Sequence, residues 1–94
     1  MNEIKLDVKV VFNDQNWVQA PNGDVMYMMN LKTGKYLYLN EIATEIWQHI
    51  KTPITVAEIC QKLEAAFEVS STQCQQEVFG FLKKLQQEGT LEIR

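Results

Sequence analysis

Hydrophobic positions along the chain change their period at one residue, Asn40. Before it, two apolar, aromatic-rich runs, Val25–Leu31 and Lys35–Leu39, flank Lys32-Thr33-Gly34. That pattern predicts a hairpin, with Gly34 free to take the positive φ a short turn needs. After it, Ile42, Ala43, Ile46, Trp47 and Ile50 recur at helical spacing. Asn40 suits an N-cap, because its side-chain oxygen accepts from the free N–H groups of the first turn. A strand therefore runs into a capped helix with almost no linker, and this junction sets the angle between sheet and helices.

Upstream, Ile4, Leu6, Val8, Val10 and Phe12 share one parity, most strand-like over Val8–Phe12. Asn13–Asn16 is a polar turn, Trp17–Ala20 a short extended piece, and Pro21-Asn22-Gly23-Asp24 a turn cluster. The hairpin strands, as the longest apolar runs, are expected at the middle of the sheet. Downstream, the first helix covers Asn40 to Lys51 and ends before Pro53, since the residue preceding a proline is pushed out of the helical region. A second spans Val56 to Phe67, with Thr55 and Glu58 spaced as a capping box and Val56, Ile59, Cys60, Leu63 and Phe67 facing inward. After the Glu68–Ser71 linker, Ser70 or Ser71 caps a third helix over Thr72–Glu88, stopped by Gly89. Thr90–Ile93 reads as a last short strand. The order predicts a winged-helix-like α+β domain, a small three-stranded antiparallel sheet packed on three helices.

Ninety-four residues make one domain with one modest core, too small for a deeply enclosed active site. The charged N-terminal segment Met1–Asp7 does not read as a signal peptide, and no apolar run approaches the ~18 residues of a membrane span. The expected location is cytoplasmic, with no membrane contact. The net charge of −3 argues against a dedicated nucleic-acid binder, because phosphate contacts supply most of that affinity. A DNA-reading third helix would present Lys83 and Lys84 amid glutamines, with Lys32 and Lys35 at the hairpin tip. Cys60 and Cys74 fit no metal-ligand spacing and read as reduced, buried thiols.

Catalytic chemistry has few residues to stand on. The one histidine, His49, sits near the end of the first helix, where it favours the helix dipole. No phosphate loop, nucleophile elbow or metal cluster is present, so no enzyme activity and no cofactor are expected. The third helix is richer. Cys74, Val78, Phe81, Leu82 and Leu85 form a complete core face, and Phe79 lies beside it. Phe79 either widens that face or lines a groove with Gln75, Val78 and Leu82. In the second hairpin strand only one pair can point inward, and Leu37 and Leu39 suit the core better than Tyr36 and Tyr38. A short edge strand beside such a helix is a place where a peptide adds as a further strand. The residues favour a peptide-binding module, monomeric or weakly dimeric through its sheet edges.

The stretch Gly34-Lys35-Tyr36-Leu37-Tyr38-Leu39-Asn40-Glu41-Ile42-Ala43-Thr44-Glu45-Ile46-Trp47 resembles the hallmark of the coenzyme PQQ synthesis protein D family. Further matches follow in order at Thr55–Ile59, Leu63, Phe67, Val78, Phe81-Leu82, Leu85 and Glu88–Leu91. The resemblance implies a domain that recognises the leader of a ribosomally made precursor peptide. The leader adds beside the strand Lys35-Tyr36-Leu37-Tyr38-Leu39 and lies against the third helix between Cys74 and Leu85. No Pro-Glu-Gly type turn precedes Asn40, and Val8–Ala20 is longer than in the PQQ pathway protein. The chain thus looks more like the stand-alone leader-binding proteins of lasso-peptide pathways. Those pass the precursor to a leader peptidase and then a cyclase. A PQQ-type carrier serving a radical SAM enzyme and a winged-helix DNA-binding regulator are the alternatives.

Overall fold

The computed structural model describes residues 4–94, so Met1–Glu3 of the charged N-terminal segment lie outside the described residues. In chain order the elements are β1 (Lys9–Phe12), β2 (Trp17–Asn22), β3 (Val25–Asn30), β4 (Tyr36–Leu39), α1 (Glu41–His49), β5 (Ile54–Thr55), α2 (Val56–Ala66), α3 (Ser71–Gln87) and β6 (Leu91–Ile93). The fold is α+β, as the pattern predicts, but the strands form two three-stranded antiparallel sheets rather than one. β1 lies between β5 and β6, and β3 lies between β2 and β4.

The division falls at the polar turn Asn13–Asn16. Asn16 has φ 68°, a left-handed conformation that asparagine tolerates better than most residues. Beyond it the chain starts a new sheet. Pro21 and Asn22, expected in a turn, continue β2 instead. The turn is Gly23-Asp24 alone, with Gly23 at φ 66°, the requirement of a II′ hairpin. β2 tolerates Pro21 because it is an outer strand. The Leu31 N–H to Asn16 C=O bond (2.6 Å) sets the ladder phase that turns the proline nitrogen to the open side. Of the two hairpin strands expected mid-sheet, β3 is central and β4 is an edge.

The β3–β4 turn is organised by Asn30, whose Oδ1 accepts from Lys32 N–H (2.8 Å) and Thr33 N–H (3.1 Å), while Gly34 takes φ 74°. At the next junction Asn40 Oδ1 accepts from Ala43 N–H (2.9 Å), and the buried Thr44 hydroxyl donates to the Leu39 carbonyl (3.1 Å). These two bonds lock β4 to the start of α1. The capping box of α2 forms between Thr55 and Glu58, and Ser70 caps α3. Gly89 (φ 74°) closes α3: its N–H donates to Gln86 C=O and that of Thr90 to Leu85 C=O, the Schellman pair.

Alternation along β3 and β4 decides what the sheet buries. Met26, Met28, Leu37 and Leu39 point inward and meet Ile46, Ile50, Ile59, Leu63, Val78, Leu82 and Leu85 of the helices in one core. Phe12, Trp17 and Trp47 join both sheets and α1, with ring centroids 6.3 Å (Phe12–Trp17) and 6.1 Å (Phe12–Trp47) apart. Both indole N–H groups are buried without a hydrogen-bond partner among the described residues. An orphan donor costs about 1–3 kcal/mol. Burying a Trp ring of roughly 200 Å² returns about 5 kcal/mol, so the rings stay inside.

Candidate functional site

The Asn30 N–H donates to the Lys35 carbonyl (2.8 Å), which fixes the phase of the β3–β4 ladder. Bonded and non-bonded pairs then alternate along it. Leu37 and Leu39, opposite Met28 and Met26, exchange bonds with β3. Tyr36 and Tyr38, opposite Met29 and Tyr27, turn their N–H and C=O groups to the open side. β4 therefore presents the backbone groups of two residues to a further strand. Its tyrosine rings lie on the outer sheet face, 72% and 55% exposed, with Tyr38 against Tyr27 at 5.2 Å between centroids.

Beside this edge α3 runs antiparallel to β4. At one end Lys35 Nζ lies 3.7 Å from Glu88 Oε2. At the other a trough of about 330 Å³ opens between the β4–α1 junction and α3. Tyr38, Ala43 and Phe81 give it apolar surface over the buried Ile46; Asn40, Gln76, Glu77 and Lys84 form the polar part, and Gly80 lies on the helix side. Depressions of about 290 Å³ beside Trp47 and Lys51, and about 280 Å³ beside Glu41 and Phe67, are nearly as large. Volume does not separate them. The trough is singled out because it alone of the three joins an open strand edge, at Tyr38, to α3; the depression beside Trp47 reaches the outer strand β2 at Gln19 but no residue of α3.

The residues anticipated for binding divide. Lys35, Tyr36 and Tyr38 are exposed on or beside the edge; Leu37 and Leu39 contribute backbone there while their side chains are core. Cys74, Val78 and Leu82 are at most 1% exposed and belong to the core, so their side chains cannot touch a ligand without repacking the domain. Phe79 and Gln75 are half-buried, but not in the trough. At about 100° per residue, Phe79 and Phe81 point about 160° apart around the helix axis. Phe81 faces the trough, so Phe79 and Gln75 lie on the opposite flank of the core stripe. Gly80 and the trough role of Phe81 escape sequence reasoning, because a stripe does not reveal which of its flanks meets the strand.

Other groups offer little chemistry. His49 Nε2 lies 2.9 Å from Glu45 Oε2 one turn back on α1. Cys74 Sγ donates to the Cys60 carbonyl (3.4 Å). Burial pushes both thiols upward, Cys74 to about 11, which disfavours the nucleophilic thiolate. Among the described residues no three His, Cys, Asp or Glu side chains converge as a metal site, and no helix is long and apolar enough to cross a membrane.

Fold and site together define a small α+β domain with an open strand edge beside a concave helix flank. The model of the family described as coenzyme PQQ synthesis protein D matches residues 26–91, more than two thirds of the chain. The protein belongs to that family. Its fold is similar to the solved structure of TbiB1 in complex with the TbiA(beta) leader peptide, with a TM-score of 0.74 over 87% of this chain and 94% of that one, at 23% identity. No curated protein matches the sequence significantly.

Proposed function

We propose that this protein binds the leader segment of a ribosomally synthesised precursor peptide and presents it to separate modifying enzymes, without catalysing a reaction itself. The leader adds as a fourth strand along β4, bonded to the backbone of Tyr36 and Tyr38, while alternate side chains reach toward α3. Backbone pairing supplies generic affinity and the trough supplies selectivity. The observation that carries the reading is the unpaired edge of β4 lying directly beside the trough. Membership of the family and the leader-bound state of TbiB1 support it. The enzymes served are, on this reading, the leader peptidase and cyclase of a lasso-peptide pathway. The family match also favours a second reading, a PQQ-type carrier for a radical SAM enzyme.

The test is a titration of the purified protein with the fluorescein-labelled leader of the precursor encoded beside its gene. Saturable binding with no cleavage product is expected. Absence of saturable binding, or cleavage by the protein alone, defeats the proposal. Tight, salt-sensitive binding to random duplex DNA instead would point to a regulator.

A further inference from the structure

Gly80 stands in the interior of the 17-residue helix α3, where glycine is a poorer helix former than alanine because it loses more backbone freedom on folding. Two ordinary reasons for such a glycine are missing. Its φ is not in the left-handed region, unlike those of Gly23, Gly34 and Gly89. No neighbour crowds it either, since a Cβ built there meets nothing within 4 Å. The domain's own packing leaves the position empty, and that empty space opens into the trough beside β4.

We infer that Gly80 is a specificity-determining position: the missing side chain lets a bulky apolar side chain of the bound peptide rest against the α3 backbone, beside Phe81 and next to the β4 edge at Tyr38. This rests on the strand-addition reading of the same site. In an added strand alternate residues point to one face. Those on the inward side of the sheet descend toward α3. The surface they meet is apolar at Phe81 and Ala43, and Glu77 and Lys84 also line it. A methyl group on residue 80 would occupy the closest approach. The side chain at 80 therefore sets how large an anchor is accepted, at the expense of helix stability.

The prediction has two readouts of opposite sign. In the free protein Gly80→Ala should raise Tm by about 4 °C, because a better helix former replaces glycine where nothing clashes. The same variant should bind bulky anchors about tenfold more weakly, as an added methyl does in a filled contact. The probe is a peptide selected against the wild-type protein from a display library of short random peptides. Each position of that peptide is then varied through Ala, Val, Leu and Phe. For wild type one position should prefer Leu or Phe. For Gly80→Ala that preference should move to Ala or Val, and Gly80→Leu should remove binding while keeping the raised Tm. Lys83→Ala, off the trough, should change neither measurement. Equal affinity and an unchanged anchor preference in Gly80→Ala overturn the inference and leave strand addition standing. Failure of the library to yield any binder overturns both. A fall in Tm for Gly80→Ala shows that the glycine serves the fold, and also overturns the inference.

Discussion

Replacing Tyr38 by proline tests whether the open edge of β4 takes a strand. The Tyr38 N–H faces away from β3, so proline deletes a donor that the ladder does not use. Edge strands accept proline at such positions, as β2 of this protein does at Pro21. The loss to the free protein is chiefly the Tyr27–Tyr38 pair, a cross-strand contact of about 0.2–1 kcal/mol, and Tyr38→Ala loses it equally. A bound strand suffers differently. One peptide carbonyl loses a bond of about 1 kcal/mol net and is left covered without a donor, so about 2 kcal/mol in all is a fair expectation. That is roughly thirtyfold in Kd. Fluorescence anisotropy with the labelled leader, alongside thermal melts, should show Tyr38→Pro binding about thirtyfold more weakly than Tyr38→Ala at similar Tm. Leu37→Pro supplies the contrast without any peptide: its N–H is in the ladder, so its melt should collapse. A folded Tyr38→Pro that binds as tightly as Tyr38→Ala would refute strand addition at this edge.

The buried flank of α3 gives a second expectation. Leu82→Ala should lower stability by about 2–5 kcal/mol, whereas Phe79→Ala should lower it less and leave leader affinity unchanged, as paired melts and titrations would show. Both thiols should resist alkylation in the native state at pH 8 and react on unfolding. Because their folded pKa values are raised, the neutral thiols stabilise the fold below the ordinary value of 9.0. That contribution should fade as pH rises from there, for Cys74 through about 11, which a pH series of melts on wild type and Cys74→Ala would read. Thr55→Ala should lower Tm by about 5 °C through loss of the α2 cap. Its Glu58 partner is held below 4.5, first by the Thr55 side chain, so the box should act above that pH and fail as pH falls through the depressed value.

Local signals in the sequence translated directly into structure wherever one residue type decides one backbone event. Asn40, Thr55, Ser70 and Gly89 cap the helices where their chemistry suggests, and the alternation of β4 puts Leu37 and Leu39 inside. The division into two sheets was not legible. It depends on β1 pairing with Ile54–Thr55 and Leu91–Ile93, segments of two and three residues that carry almost no periodicity of their own. Proline at position 21 reads as a turn signal in the sequence, because its place in a strand depends on whether β2 is an outer strand, a property of the assembled sheet.

The candidate site shows the same limit in sharper form. The core stripe of α3 was legible because burial repeats every three or four residues, yet a stripe has two flanks and the sequence treats them alike. Phe79 on one flank and Phe81 on the other are chemically identical, and an aromatic beside a stripe looks like a groove wall on either side. What distinguishes them is how α3 lies against β4. The β4–α1 junction at Asn40 and Thr44 fixes where α1 starts, and α3 packs on α1 and α2 with its Gln76–Lys84 flank toward the strand. Once that flank is known, the residue with no side chain becomes informative. A helix-interior glycine that neither turns the backbone nor makes room for a neighbour leaves space on the surface that faces the open edge. Affinity and helix stability should therefore move in opposite directions at position 80, and in the same direction at the buried positions Val78 and Leu82.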